Sequence, residues 1–273
     1  MITTQPLSHL PDVPFARFQR PRFLSLFFLL MAAWLIGHSF VEAEISPVAF
    51  IEGLPEMWSV LQEMFPPNFE RLPQISILLL HTLYMAIAGT VIGVILSFPV
   101  SVLAAEKTSP HPLVSHVARA IISLARTIPD LVWALFFVVT VGIGAFAGVL
   151  TIAIDTLGFC SRFFAEAIEE TDKNPEEALQ AIGASRLAIL ATYIFPTCTP
   201  SFINTCLFSL EKAVRSSVVL GLVGAGGIGI ELRVAMDTFR YDEAITVILL
   251  IFALVVIVEQ ISTRARKSLL ADH

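Results

Sequence analysis

The sequence predicts an all-α integral membrane protein with about six transmembrane helices. Three observations lead there. Of 273 residues, 56% are hydrophobic and only 15% charged, against about 25% charged in a typical soluble domain. Six stretches approach the roughly 20 apolar residues that a helix needs to cross a bilayer. Lys and Arg collect in alternate connections, which is how membrane spans declare their orientation. Lengths of this order without strict alternation favour helices over barrel strands.

The first span is Phe23 to Val41, free of charge. The second, Ile75 to Ala105, has none before Glu106. The third lies within Ile121 to Gly144 and is interrupted near Arg126 and Asp130. The fourth, Phe146 to Ala167, carries Asp155 and Arg162. The fifth, Thr199 to Val223, carries Glu211, Lys212 and Arg215. The sixth is Ala244 to Ile261. Between the first two spans, Leu54 to Phe65 has apolar residues at helical spacing and ends at Pro66-Pro67. It reads as a helix along the outer membrane surface or packed on its neighbours.

Arg17, Arg20 and Arg22 precede span one; Lys107 and Arg119 follow span two; Lys173 and Arg186 follow span four; Arg264, Arg266 and Lys267 follow span six. With six spans all of these share one face, so both termini are expected in the cytoplasm. The opposite face holds Glu42, Glu44, Glu52, Glu56, Glu63 and Glu70 against Arg71, and the last loop, where acids outnumber Arg233 and Arg240. The basic tail, the apolar run and Val41-x-Ala43 also fit a cleaved signal peptide, but the run and its preceding tail are long for one.

Gly224-x-Gly226-x-x-Gly229, with Asp242 and Glu243 downstream, matches the glycine fingerprint of a dinucleotide-binding loop. That fingerprint requires a strand, the turn and a helix within alternating β/α units. Here a long apolar helical run precedes it and another span follows. The cofactor reading therefore falls. Gly224, Gly226, Gly227 and Gly229 instead permit a non-helical turn between spans five and six, expected at the outer mouth of a pathway or serving as a plain tight loop.

Between spans four and five stands Asn174 to Pro196, NPEEALQAIGASRLAILATYIFP. Asn174 reads as an N-cap and Pro175 as the first helical residue. Glu176 and Glu177 suit the positive end of the helix dipole. Gly183 suits a left-handed helix end, and Ser185 a second N-cap. Ala178, Ala181 and Ala184 leave low relief that another protein can approach closely.

This hairpin resembles the "EAA" signature of ABC-importer permeases: Glu-Ala-Ala, three residues, Gly, nine residues, then Ile-x-Leu-Pro. Here it reads Glu177-Ala178-Leu179, Gly183 and Tyr193-Ile194-Phe195-Pro196. Leu179, Tyr193 and Phe195 depart from the signature and keep its spacing. ARTIPD (Ala125 to Asp130) and VRSSVVLGLVGAGGIG (Val214 to Gly229) are similar to permeases for methionine and, more closely, for phosphonates. The resemblance runs from about Phe65 to the C-terminus, and the first helix fits an extra N-terminal span.

The resemblance implies a methionine-permease-like core with that extra helix. The expected divisions are a cytoplasmic tail (1–22), a first span with an outer interfacial segment (23–74), the core (75–261) with its coupling loop (169–198), and a cytoplasmic tail (262–273). It implies a bacterial inner-membrane homodimer working with two ATPase subunits and a periplasmic substrate-binding protein. Glu177, Ala178, Leu179, Gly183 and Ala184 would meet the ATPase, which binds ATP and Mg itself. The pathway would involve Arg126, Pro129, Arg215, Ser216, Ser217, Gly224, Gly226 and Gly227.

Lone charges within a bilayer are costly. Glu211 and Arg215, four apart, can pair on one helix face. Arg215 with Ser216 and Ser217 can also line the route of a small oxyanion, since Arg offers a fork of donors. Arg126 and Asp130 repeat the spacing around Pro129, which is expected to kink span three.

Other classes fare worse. The chain lacks G-x-x-x-x-G-K-[ST] and cannot cradle ATP phosphates, so it must borrow energy. A secondary transporter or channel for a small anion is the alternative, and no inverted repeat supports it. Neither H-E-x-x-H nor G-x-S-x-G is present, and His38, His81, His111 and His116 are scattered, so no catalytic residue is assigned. Cys160, Cys198 and Cys206 show no disulfide or metal spacing. No basic stripe suggests nucleic acid.

Overall fold

The computed structural model describes residues 23–270. The tail 1–22, with Arg17, Arg20 and Arg22, and residues 271–273 lie outside them. The chain divides at Trp58–Ser59 into two units. The first begins with α1 (Phe23–Glu42), all of whose residues are exposed. Its apolar girth suits lipid on every side. Helix α2 (Pro47–Glu63) starts well before the expected Leu54. The reason is local: the Ser46 hydroxyl accepts the Ala49 N–H at 3.1 Å, and Pro47 occupies the first turn.

The second unit is a bundle built on α3 (Leu72–Ala104). Helices α4 (Pro112–Thr127) and α5 (Asp130–Val141) follow, meeting at 90°. The expected kink is thus a full break. Ile128, preceding proline, is extended (φ −81°, ψ 123°), as steric conflict with the proline ring requires. Helix α6 (Ala145–Glu169) lies against α3. Two glycines on α3 allow it: a Cβ at Gly89 would stand 2.6 Å from Ile152 Cβ, and one at Gly93 would stand 2.5 Å from Thr156 Cβ. Small residues four apart let helices pack closely in lipid, where no hydrophobic force draws them together.

Next come α7 (Lys173–Ala181), α8 (Arg186–Ile189), a π-helical turn (Leu190–Ile194) and α9 (Phe195–Leu222). The last three form one 37-residue rod, longer than the expected fifth span. Pro196 has no N–H to donate and crowds the carbonyl four residues back. The turn before it widens, and the Phe195 N–H bonds Leu190 O instead. Helices α10 (Gly229–Asp237) and α11 (Tyr241–Leu270) complete the bundle. Among the described residues there is no strand, so the glycine motif lacks the setting a dinucleotide site needs.

The bundle has two distinct ends. At one, Arg71 bonds Glu243 at 3.0 Å and Glu231 at 3.2 Å, and Asn68 bonds Asp242 at 3.1 Å. These bonds tie the start of α3 to α10 and α11, so Asp242 and Glu243 are structural. At the other end Lys107 donates to Thr171 O at 2.5 Å, and Arg119 bonds Glu169 at 2.6 Å. Residues expected on opposite membrane faces are gathered at opposite ends.

Candidate functional site

Helix α7 projects from the second end. Its N-cap is Asp172, whose side chain accepts the Asn174 N–H at 3.0 Å. The expected cap at Asn174 is therefore corrected by two residues. Asp172 is one of the preferred capping types, and it leaves Pro175 inside the first turn, where no N–H is needed. The Tyr193 hydroxyl donates to Asp172 O at 2.9 Å, so the π-helical turn holds the start of α7. Gly183 has φ +83° with nothing near its missing Cβ. Ser185 caps α8, accepting the Ala188 N–H at 3.2 Å. Glu177, Ala178 and Gly183 are exposed, whereas Leu179 and Ala184 are half-buried against the bundle.

Sequence reasoning missed two side chains at this elbow. Ile182 is 79% exposed and Leu187 78%, apolar knobs on either side of Gly183. A signal existed: large apolar residues beside a left-handed glycine in a short polar connection have no core to enter.

The glycine turn sits deeper than expected. Gly224, Gly226 and Gly227 have φ of +92°, +90° and +81°. A Cβ at Gly226 would stand 2.7 Å from Ala145 N, and one at Gly227 would stand 2.6 Å from Thr82 Oγ1. The Gly144 N–H donates to Gly224 O at 3.1 Å. Thr82 Oγ1 accepts the Ile228 N–H at 2.7 Å while donating to Leu78 O. Thr82 is ten residues into α3, about 15 Å along a helix. The turn is thus wedged inside the bundle rather than placed at its rim, because its backbone groups find partners there and would have none in lipid.

Between this turn and the elbow, α9 carries three charges in succession. Glu211 pairs with Arg266 of α11, not with Arg215. Lys212 pairs with Asp155 of α6 at 2.6 Å, its ammonium lying 5.5 Å from the Phe159 ring centre. Arg215 is exposed and has no ion pair among the described residues. It lies seven residues before the end of α9, nearer the glycine turn than mid-span. Ser216 donates to Asp130 at 3.3 Å. Ser217 is fully buried, bonding Val214 O at 2.7 Å, and lines no open surface in this conformation. Arg126 and Pro129 are exposed, and Arg126 does not pair with Asp130.

The arrangement has an exposed helical elbow at one end, a buried glycine turn deeper in the bundle, and arginines without ion pairs between. Comparison with known proteins identifies it. The model of the family described as "Binding-protein-dependent transport system inner membrane component" matches residues 97–266. The chain belongs to this family. The permease is 38% identical over 239 residues to the phosphite transport system permease protein PtxC of Stutzerimonas stutzeri, covering 88% of this chain and 85% of that one. It is 31% identical to a probable D-methionine transport system permease protein MetI of Vibrio cholerae, over 66% of this chain and 85% of the relative. Its fold superposes on a chain of the inward-facing MetNI methionine ABC transporter with a TM-score of 0.62 at 24% identity, over 74% of this chain and 98% of that chain. The permease is a multi-pass inner-membrane subunit of an ABC importer and not an enzyme.

Proposed function

We propose that the permease translocates a small phosphorus oxyanion: phosphonate, phosphite or phosphate. Two copies form the pathway. The α7 elbow of each, through Glu177, Ala178, Leu179, Gly183 and Ala184, receives one ATPase subunit. A periplasmic binding protein delivers substrate at the opposite end, and both termini are cytoplasmic. Lipid surrounds the apolar flanks.

One observation carries the substrate reading. Of the three charges on α9, Glu211 and Lys212 are neutralised by other helices, and Arg215 is not. An unpaired guanidinium within a membrane span is costly and marks a ligand route. Its donor fork suits the oxygens of a tetrahedral anion. The resemblance to phosphite and phosphonate permeases agrees with this chemistry.

The test is reconstitution with the ATPase and binding protein, scoring ATP hydrolysis and uptake of phosphite. Arg215→Ala is expected to abolish uptake while ATPase subunits still assemble. Normal uptake by that variant removes the oxyanion role. Uptake that collapses with an uncoupler and ignores ATP favours a secondary transporter instead.

A further inference from the structure

At the elbow end of the bundle, α4 and α6 line an open cleft of about 390 Å³. That is room for a tetrahedral oxyanion and several waters, each occupying about 30 Å³ in the liquid. Its wall carries Arg119, Ser123 and Arg126 of α4 facing Arg162, Glu166 and Glu169 of α6. Arg162 is held by Glu166 at 2.5 Å, and Arg119 by Glu169 at 2.6 Å with Glu106 at 3.4 Å. Arg119 and Arg162 are thus neutralised by Glu106, Glu166 and Glu169, and Arg126 is the cation of this group without an ion pair among the described residues.

The position of Arg126 is built. A Cβ on Gly158 would stand 3.0 Å from Arg126 Cγ and 3.0 Å from Ala125 Cβ. The glycine makes the space in which the arginine stem lies on α6. Gly158 is eleven residues before the end of α6, about 16 Å along its axis. The lining on α6 runs from Glu169 back to Arg162, seven residues or about 10 Å along its axis. Arg215, whose neighbour Ser216 bonds Asp130, lies on the glycine-turn side of Arg126.

We infer that this cleft is a second oxyanion station, on the release side of the pathway, with Arg126 as its anchor and Ser123 beside it. This rests on the transport reading above. The unpaired guanidinium of Arg126 suits a singly or doubly charged phosphorus oxyanion. The flanking Glu166 and Glu169 limit the attraction, which release requires. A phospholipid phosphate would satisfy the same donors, so the two sources must be separated by experiment.

The full chain carrying Ser123→Cys, in phosphatidylcholine nanodiscs, is reacted with a maleimide, with and without phosphite. Position 123 is exposed, so the introduced thiol is open to the reagent. Phosphite is expected to slow its labelling at least several-fold, and Arg126→Gln in the same background to weaken that protection about tenfold, the range for a lost charge-assisted bond. Absence of protection, or protection indifferent to Arg126→Gln, overturns the station. Should Arg126→Gln fold poorly, protection in the Ser123→Cys protein alone decides. In discs containing phosphatidylglycerol the protection is expected to persist. Its loss there assigns the cleft to a lipid headgroup and overturns the release role. Uptake is scored separately: normal uptake without protection removes only this station, and protection without uptake removes only the transport reading.

Discussion

Gly183 and Gly226 share a left-handed backbone and sit in opposite surroundings. At Gly183 (φ +83°) nothing lies within 4 Å of the missing Cβ. At Gly226 (φ +90°) that Cβ would stand 2.7 Å from Ala145 N and 2.8 Å from Ala145 Cα. The first glycine answers a demand for conformation alone, the second a demand for conformation and space. The elbow is a shape open to its surroundings. The turn is a wedge that holds α3, α6 and α9 together.

The largest effect should come from the wedge. Gly226→Ala adds about 1–2 kcal/mol of left-handed strain and a backbone overlap of similar size, about 3 kcal/mol or more together. The monodisperse peak of detergent-solubilised protein should be largely lost. A fully folded, normally expressed Gly226→Ala protein would show that the wedge is not tight. Next, the double variant Ile182→Glu, Leu187→Glu should fold normally, since both side chains are already exposed. Its affinity for the ATPase should fall about tenfold or more, as for loss of apolar anchors at an interface. Unchanged co-purification would mean that the knobs face no partner.

A smaller effect is expected at Gly183→Ala, which carries the same strain of about 1–2 kcal/mol without the overlap. The protein should fold, while ATP hydrolysis stimulated by loaded binding protein drops several-fold. Gly183→Asn should recover part of it, because asparagine tolerates the left-handed region. If Gly183→Ala is as damaging to folding as Gly226→Ala, the contrast between the two ends is broken. The smallest change is Ser185→Ala, costing about 1 kcal/mol of capping. Hydrogen exchange should quicken at Leu187 and Ala188 and nowhere in the wedge.

The elbow was legible in sequence because its logic is local. Gly183, Ser185 and the helix between Asp172 and Ile182 depend on neighbours a few positions away. Even there the cap shifted from Asn174 to Asp172, since both residues are good caps and only geometry chooses. On α9 the deciding partners are distant, and the spacing points Glu211 to the wrong one. Spacing by four offers Glu211 and Arg215 to each other, yet the partner of Glu211 is Arg266, 55 residues on, and that of Lys212 is Asp155, 57 residues back. The depth of the glycine turn follows from Thr82, 146 residues away from Ile228. Gly89 and Gly93 carried a readable four-residue spacing, but the surface they fit belongs to α6. Proline at 129 announces a bend, and its angle of 90° is visible only in the structure.

The π-helical turn at Leu190–Ile194 keeps one surplus residue of slack between elbow and span. If that slack were drawn into ordinary α register, everything on one side would rotate by about 100° and advance about 1.5 Å relative to the other. A rod with such a reserve can take up a twist at one point while its remaining length stays rigid. It should also absorb a single-residue deletion within that turn that would throw either flank out of phase.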